Sequence, residues 1–579
     1  MTLYIFLSII TPPLLHLLRD QIQSGGEGIR WKAPTENLEI RRVKCDEGKP
    51  ACYRCTSTGR KCDGYAPHSS STLPTPHDLA AFTAVVSTTE SRALEFFYQT
   101  TSPRLAGFLD GAFWKRSVLQ LSLSEPSVRQ ALAALGLAHE CEGFKLQGLE
   151  TSQKHEAAVQ LYTRAIRSTI EKASLGEVSV PVVVVASILF TCFEFFRRNA
   201  YEAAKHIASG IKILQYWRKR KGSGPRGPWG QTYSCYETYF IENELAPILT
   251  MFSLNASEFG PFPRSRLILN PVDGGGPKLA EHFETLQEAR VGLVDLVTAS
   301  ANLFQKLDEE IVAGVTPTYD ALVVSKGLRT NFGRWKANFD DLLRRRESTW
   351  RKEEKAAADV IRIMRHGAEL GLAAYVVSSE SDWDHHRGDY EEILRLIESF
   401  VSNLDHYPDE LSKALSLELG LIYPLHAVAW KCRWPRLRRK GLELLLRTPR
   451  REWILDPRRY HAIFTRIMEI EENYLNLSER PCQNKEDALP PENMRVHDFY
   501  CFSTADPSQY TITFSMKSNG IDGPWDFITE YIHIPPSGDG NVAPSNLFAC
   551  RRWASAESTD QQTADMLKSA VFGEYQSRN

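Results

Sequence analysis

The chain has almost no net charge: 69 Lys and Arg stand against 71 Asp and Glu over 579 residues, a formal balance of −2. Binding driven by a bulk field of either sign is therefore excluded. It also lacks an unbroken apolar run of the roughly 20 residues that a bilayer crossing takes. The most apolar stretch, Val180–Phe190, falls well short of that and predicts a helix buried on all sides. Near the N-terminus Leu3–Leu18 is mostly apolar, yet no Lys or Arg precedes it and Pro12-Pro13 interrupts it. With no small-residue cleavage site around Gln21–Gly28, a secretory signal is not indicated.

Enzyme signatures are missing as well. The chain contains no Gly-x-Ser-x-Gly elbow and no His-Glu-x-x-His pair, and Gly222–Gly227 lacks the preceding strand that a phosphate-cradling loop needs. The expectation is a protein that is not an enzyme and has no membrane partner. A disulfide framework is absent too: the 11 cysteines are odd in number, and Cys141, Cys192, Cys235, Cys432, Cys482, Cys501 and Cys550 are scattered. Cys192 lies in an apolar context, the ordinary place for a small buried thiol. This is reduced-compartment usage, so the Asn-x-Ser sequences at Asn255 and Asn476 carry no weight as glycosylation sites.

What is present is a dense motif. Cys45, Cys52, Cys55 and Cys62 are spaced C-x6-C-x2-C-x6-C. A Cys-x2-Cys pair lets two thiolates grip one Zn²⁺ at about 2.3 Å each, and the flanking cysteines close the shell through short loops. Charge is local here. Arg41, Arg42, Lys44, Lys49, Arg54, Arg60 and Lys61 outnumber Asp46 and Glu47 by five, the footprint expected at a phosphate backbone.

Beyond the cysteines the chain divides by composition. Residues 66–83 form a linker, with Pro67, Pro74 and Pro76 among serines and threonines. Residues 84–534 are predominantly helical in pattern. Val128, Ala131, Leu132, Leu135 and Ala138 repeat at helical spacing, as do Ala158, Leu161, Tyr162, Ala165 and Ile166, and then Ala203, Ala204, Ile207, Ile211 and Leu214. Further stripes run through Leu286–Leu307, Ala356–Leu372, Tyr390–Leu404 and Leu411–Trp430. Near the end the period changes: Met494–Cys501, Tyr510–Lys517 and Trp525–Ile534 predict two or three short strands, with Asn519-Gly520 as a turn. Residues 535–579 are polar and read as a disordered tail. The fold class expected is mainly α: a truncated zinc module, a linker, and a large helical domain closed by a few strands.

Three other features have bland readings. Asp382-Trp383-Asp384-His385-His386 has metal-binding chemistry, but adjacent histidines point apart, so a solvated inter-helix loop is expected. His206 lies on an apolar helix face and reads as a hydrogen-bonded core histidine. Arg218–Lys221 fits either a nuclear-import signal or a basic helix end.

From Arg41 to Tyr65 the sequence resembles the C-terminal two-thirds of the fungal binuclear zinc cluster, the six-cysteine DNA-binding domain of fungal transcription factors. Phe96-Phe97-Tyr98, Leu105–Phe108, Phe113-Trp114, Glu125–Gly136 and Ala203–Ile211 resemble the helical regulatory domain that accompanies it. The resemblance runs from about Arg41 to Ile534. It implies a nuclear, zinc-dependent regulator of RNA polymerase II transcription, with pathway-specific control of secondary metabolism or nutrient use. Its implied partners are double-stranded DNA with CGG-type sites, a second copy of itself as a homodimer, and the transcription machinery. Arg42 takes the base-reading position, with Arg41 and Lys44 beside it, while Lys49, Arg54, Arg60 and Lys61 meet phosphates. The coiled coil that often follows the cluster has no apolar heptad here.

The family pattern places its first two cysteines at positions 35 and 38, where this chain has Thr35 and Leu38, and favours Arg where it has Glu39. One reading makes residues 1–39 a gene-model error that replaced an exon carrying those ligands. The other makes the chain a helical interaction and regulatory protein that has lost DNA binding. Because the family shares six thiolates between two zinc ions, with the first and fourth bridging, the four present cysteines can hold at most one metal. Metal analysis of purified protein should therefore return no more than one tightly held zinc per chain.

Overall fold

The computed structural model describes residues 88–533 with breaks at 108–109, 144–148, 176–177, 198, 222–234, 257–267, 270–276, 313–318, 374–378, 405–414, 417–420, 449–450, 453–456, 474–488, 504–508 and 521–522, and then residues 547–548. The segment 1–39, the zinc motif, the linker, Gly222–Gly227 and nearly all of the tail lie outside the described residues.

The first layer is built around one helix. α1 (Thr88–Phe96) continues through a π-helical turn, Phe97–Thr101, into α2 (Ser102–Ala106); a second π turn, Phe113–Ser117, leads into α3 (Val118–Ser124). α4 (Pro126–Gly143) opens on a proline, whose missing N–H costs nothing in a first turn. Then come α5 (Leu149–Leu175), α6 (Val180–Phe196), α7 (Ala200–Lys221), α8 (Cys235–Phe240), a third π turn (Ile241–Leu245) and α9 (Ala246–Ala256). From Pro181 to Phe196 every side chain of α6 is buried, as a helix apolar on nearly every face requires. α4 packs on α1, α5 and α6, and α7 packs on α6 and α9. The three expected stripes on α4, α5 and α7 are all buried in this core.

A second core lies between α10 (Leu286–Val312), α11 (Tyr319–Arg346) and α12 (Lys352–Ala373). Trp335 is its centre: its ring stacks on Phe339 at 4.8 Å, and its Nε1–H donates to the Ala289 carbonyl at 2.8 Å, so the one polar atom of a fully buried indole is satisfied. α10 and α12 serve both cores, because Val294, Val360 and Ile363 face one while Leu293, Leu296 and Ile361 face the other. Arg290 of α10 reaches across to Asp110, between the first two π turns, in a bidentate ion pair with one bond at 3.0 Å.

The third part follows a 3₁₀ turn at Glu380–His386: α13 (Arg387–Leu404), α14 (Ile422–Lys431), α15 (Pro435–Arg447) and α16 (Pro457–Asn473). Two-residue strands β1 (Leu415–Ser416) and β2 (Arg451–Glu452) pair in parallel. The helical stripe expected across Leu411–Trp430 is thus half right. Pro424 has no N–H and is tolerated only in a first turn, so the helix starts at Ile422 and the residues before it are free to pair with 451–452. α11, α15 and α16 are not among the expected stripes, although α15 and α16 carry a clear apolar face.

The expected strands are present. β3 (Val496–Ser503), β4 (Gln509–Met516) and β5 (Asp526–His533) form an antiparallel meander, and β6 (Leu547–Phe548) adds to the far side of β3. Gly520 sits in the turn after β4 at φ 96°, where a residue with a Cβ is strained.

Two glycines separate packing from propensity. A methyl on Gly136 of α4 would collide with the carbonyl oxygen of Ala93 on α1, whereas nothing lies within 4 Å of the Cβ position of Gly327 on α11. Alanine gains about 1 kcal/mol in helix propensity, and backbone overpacking costs about 1–3 kcal/mol. G136A should therefore lower the thermal midpoint while G327A raises it slightly, as read by circular dichroism.

Candidate zinc module and the buried polar centres

The described residues hold two polar centres worth weighing as sites. The larger lies where α14 turns into α15. α14 ends at Lys431 and α15 starts at Pro435 with Trp434 as its cap, so Arg433 and Arg438 lie on either side of a tight corner and both point inward, at 2% and 1% exposure. Glu471 of α16, fully buried, answers them: Arg433 Nη2 donates to Glu471 Oε1 at 3.0 Å and Arg438 Nη1 to Oε2 at 2.6 Å. The Val496 amide also donates to Glu471 Oε1 at 2.8 Å, and Arg433 Nη2 returns a bond to the Val496 carbonyl at 3.0 Å. Glu380 adds a second anion, 2.8 Å from Lys431 and 2.9 Å from Arg433.

Electrostatics follow from this geometry. Burial by itself would raise the Glu471 carboxyl, but Arg433 and Arg438 outweigh it and hold the group down at about 2. Glu380 behaves alike, burial being outweighed by Lys431 and Arg433.

This centre absorbs the segment expected to be a solvated loop. Asp382–His386 belongs to a 3₁₀ helix capped by reciprocal Ser379 and Asp382 bonds, with Trp383 buried. Asp384 accepts two bonds from Arg495, at 2.9 and 2.6 Å, and Glu492 accepts the Glu380 and Ser381 amides at 2.9 and 2.7 Å. The turn is tied down because its carboxylate meets a buried guanidinium, a partner more than a hundred residues away. Among the described residues, no group of three or more His, Cys, Asp and Glu side chains is placed to hold a metal ion.

The second centre surrounds His206. Tyr162 Oη and His206 Nε2 lie 2.9 Å apart, and the Ser187 hydroxyl donates to the His206 carbonyl at 2.7 Å. Burial, and then Lys205, push the imidazole down to about 3, so at neutral pH it is uncharged. The core-histidine reading holds. Burial also pushes the Cys432 and Cys501 thiols up to about 12, which leaves them protonated and non-nucleophilic. Arg218, from the basic run at the end of α7, is committed to Glu242 and to the Ile268 and Leu269 carbonyls. Both centres are held mostly by internal hydrogen bonds, with Glu380 Oε2 meeting Arg433 as an ion pair, and their chemistry is that of bracing. No helix among the described residues is long and apolar enough to cross a membrane.

The functional signal thus stays with the N-terminal motif. Residues 39–71 match the fungal Zn(2)-Cys(6) binuclear cluster domain. The cluster match takes in Cys45, Cys52, Cys55 and Cys62 with all seven basic residues, and it begins just after Thr35 and Leu38. Similar proteins carry names of one kind. The aspercryptin biosynthesis cluster-specific transcription regulator atnN of Emericella nidulans is 24% identical, over 62% of this chain and 62% of its own. The transcription regulator lscL of Purpureocillium lilacinum is 28% identical, over 31% of this chain and 48% of its own. An uncharacterized transcriptional regulatory protein of Schizosaccharomyces pombe is 29% identical, over 19% of this chain and 24% of its own. The chain spans less than two thirds of the length of each of these relatives. No solved structure matches it.

Sequence reading missed the Arg433–Glu471–Arg438 cluster. Its faint signal was a pair of arginines flanking Trp434-Pro435 and a glutamate on an otherwise apolar helix face. Replacing Glu471 with Gln leaves two buried guanidinium groups facing each other, and breaking such a pair costs about 3–5 kcal/mol. Because Glu471 is depressed from 4.5 to about 2, its stabilisation is complete above about 4.5 and is lost as pH falls through 2. E471Q should show a much lower thermal midpoint at pH 7, and the gap to wild type should shrink as pH falls from about 4.5 towards 2.

Proposed function

We propose that the protein is a nuclear, zinc-dependent and sequence-specific DNA-binding regulator of RNA polymerase II transcription. The observation that carries this reading is the cluster match over residues 39–71, which coincides with the cysteine spacing and the local excess of positive charge. Cys45, Cys52, Cys55 and Cys62 are the proposed metal ligands. Arg42 reads guanine O6 and N7 in a CGG-type triplet, flanked by Arg41 and Lys44. Lys49, Arg54, Arg60 and Lys61 neutralise phosphates and set the register on the duplex. The helical region supplies the contacts to a second copy and to the transcription machinery. A relative whose name makes it a regulator of one biosynthesis cluster supports control of a single secondary-metabolite gene set here.

A second reading is a helical interaction protein without DNA binding, and Thr35 and Leu38 favour it, since they stand where two thiolates belong. One experiment separates the two. Full-length chain carrying T35C, L38C and E39R is titrated, with zinc, against a CGG-containing duplex beside the unsubstituted chain. Under the first reading the substituted chain gains specific binding that weakens steeply with salt, because phosphate contacts release counterions. A substituted chain that takes up two zinc ions and still ignores the duplex would establish the second.

A further inference from the structure

Between α11 and α12 the chain turns through a 3₁₀ helix, Glu347–Thr349, in which no residue is buried. From Arg344 to Lys352 the sequence holds five basic residues (Arg344, Arg345, Arg346, Arg351 and Lys352) and one acidic, Glu347, a local excess of four in a chain of net charge −2. Arg345 and Arg346 stand three and two places before Ser348, and nowhere else in the chain do two adjacent arginines stand so before a serine or threonine. The backbone leaves helical geometry at the second of them, where Arg346 has φ −124° and ψ −22°. The two hydroxyls of the turn differ. Thr349 donates to the Arg346 carbonyl at 2.7 Å, whereas Ser348 is exposed and its hydroxyl makes no hydrogen bond among the described residues. Arg346 is likewise exposed and has no ion-pair partner among the described residues, and the Arg344 side chain is 71% exposed.

We propose that Ser348 is a phosphorylation site for an arginine-directed serine kinase, with Arg345 as the latch that governs access to it. Such a kinase holds its substrate chain extended and meets the arginines with carboxylates of its own groove, a charge-assisted pairing. Ser348 Oγ attacks the γ-phosphorus of Mg-ATP. The new Oγ–P bond replaces the one from phosphorus to the β,γ-bridging oxygen, ADP departs with that electron pair, and the hydroxyl proton passes to a carboxylate of the kinase. Ser348 and Arg346 are open to be gripped. Arg345 is not, since its guanidinium donates to Asp341 at 2.8 Å, to Glu284 at 3.3 Å and to the Phe283 carbonyl at 2.6 Å. The last turn of α11 therefore has to open, as helix ends do at low local free energy. Asp341 restrains it twice, because it also accepts from Arg344 at 3.2 Å. Once made, the phosphate adds a charge of about −1.5 to −2 between Arg346 and Arg351, and so cancels up to half of the local excess at this corner of the second core. The inference is independent of the zinc module and of DNA binding.

The test is phosphorylation of the folded full-length chain by the catalytic subunit of cyclic-AMP-dependent protein kinase with Mg-ATP, the site located and the rate followed by peptide mass spectrometry. Wild type should gain phosphate at Ser348, and the same peptide from S348A should stay unmodified. R345Q and R346Q, each removing one charge-assisted pairing with the kinase, should each slow the reaction roughly tenfold. D341N, which takes away the carboxylate that restrains the latch, should speed it roughly two- to fivefold, the scale of an exposed ion pair. Circular dichroism confirms that each variant is folded. A folded wild type that takes no phosphate at Ser348 overturns the proposal, as does phosphate on Thr349 in its place, a rate indifferent to R345Q and R346Q, or a D341N chain no faster than wild type. Modification of Ser348 in heat-unfolded chain alone would mean that the fold keeps the turn closed, which also overturns it.

Discussion

Two arginines sharing one carboxylate hold the C-terminal third of the protein together. Glu471 is fully buried, and a lone ionised carboxylate in that position would be driven to protonate. Arg433 and Arg438 keep it charged, and their remaining donors are spent on the carbonyls of Lys431, Ala429 and Val496. Through that one group, the α14–α15 corner, α16 and the first strand of the sheet are fixed relative to one another. Glu380, Asp384 and Arg495 extend the network to the turn before α13, so four separate stretches of chain meet in a charge-balanced cluster. Replacing such a cluster with well-packed apolar side chains is often neutral in energy, whereas removing one partner alone is strongly destabilising.

The rest of the helical region depends on shape instead. α6 is largely apolar on all faces and so has to be surrounded, which draws α4, α5 and α7 around it, while its buried Glu194 is paired with Arg197. α10 and α12 each face two cores, and the Arg290–Asp110 pair crosses between those cores. Hydroxyl and carboxylate bonds link the π turns as well: Ser102 donates to the Trp114 carbonyl at 2.8 Å and Ser117 to Glu244 at 2.7 Å. Such turns interrupt the regular hydrogen-bond ladder, and here each is held by contacts from another element.

The zinc segment obeys a different constraint. Small zinc modules of the family whose pattern residues 39–71 match have too few apolar residues to fold on their own, and draw their stability from metal–thiolate bonds.

The sequence by itself determined whatever depends on neighbouring residues. The cysteine spacing, the local charge around it, the stripes on α4, α5 and α7, the buried α6 and the three alternating strands are all short-range patterns, and each could be read directly. Leu411–Trp430 misled because periodicity alone cannot show that Leu415–Ser416 pairs with a strand more than thirty residues on. Tertiary structure alone decided which charges face inward: Arg433 and Arg438 look in sequence like any basic helix start, and Asp382–His386 like a wet loop, until Glu471, Glu380 and Arg495 are brought beside them. Hydrophobic periodicity is local because it reports one element's face, whereas the partner of a buried charge is set by how distant elements pack, and no window along the chain contains both.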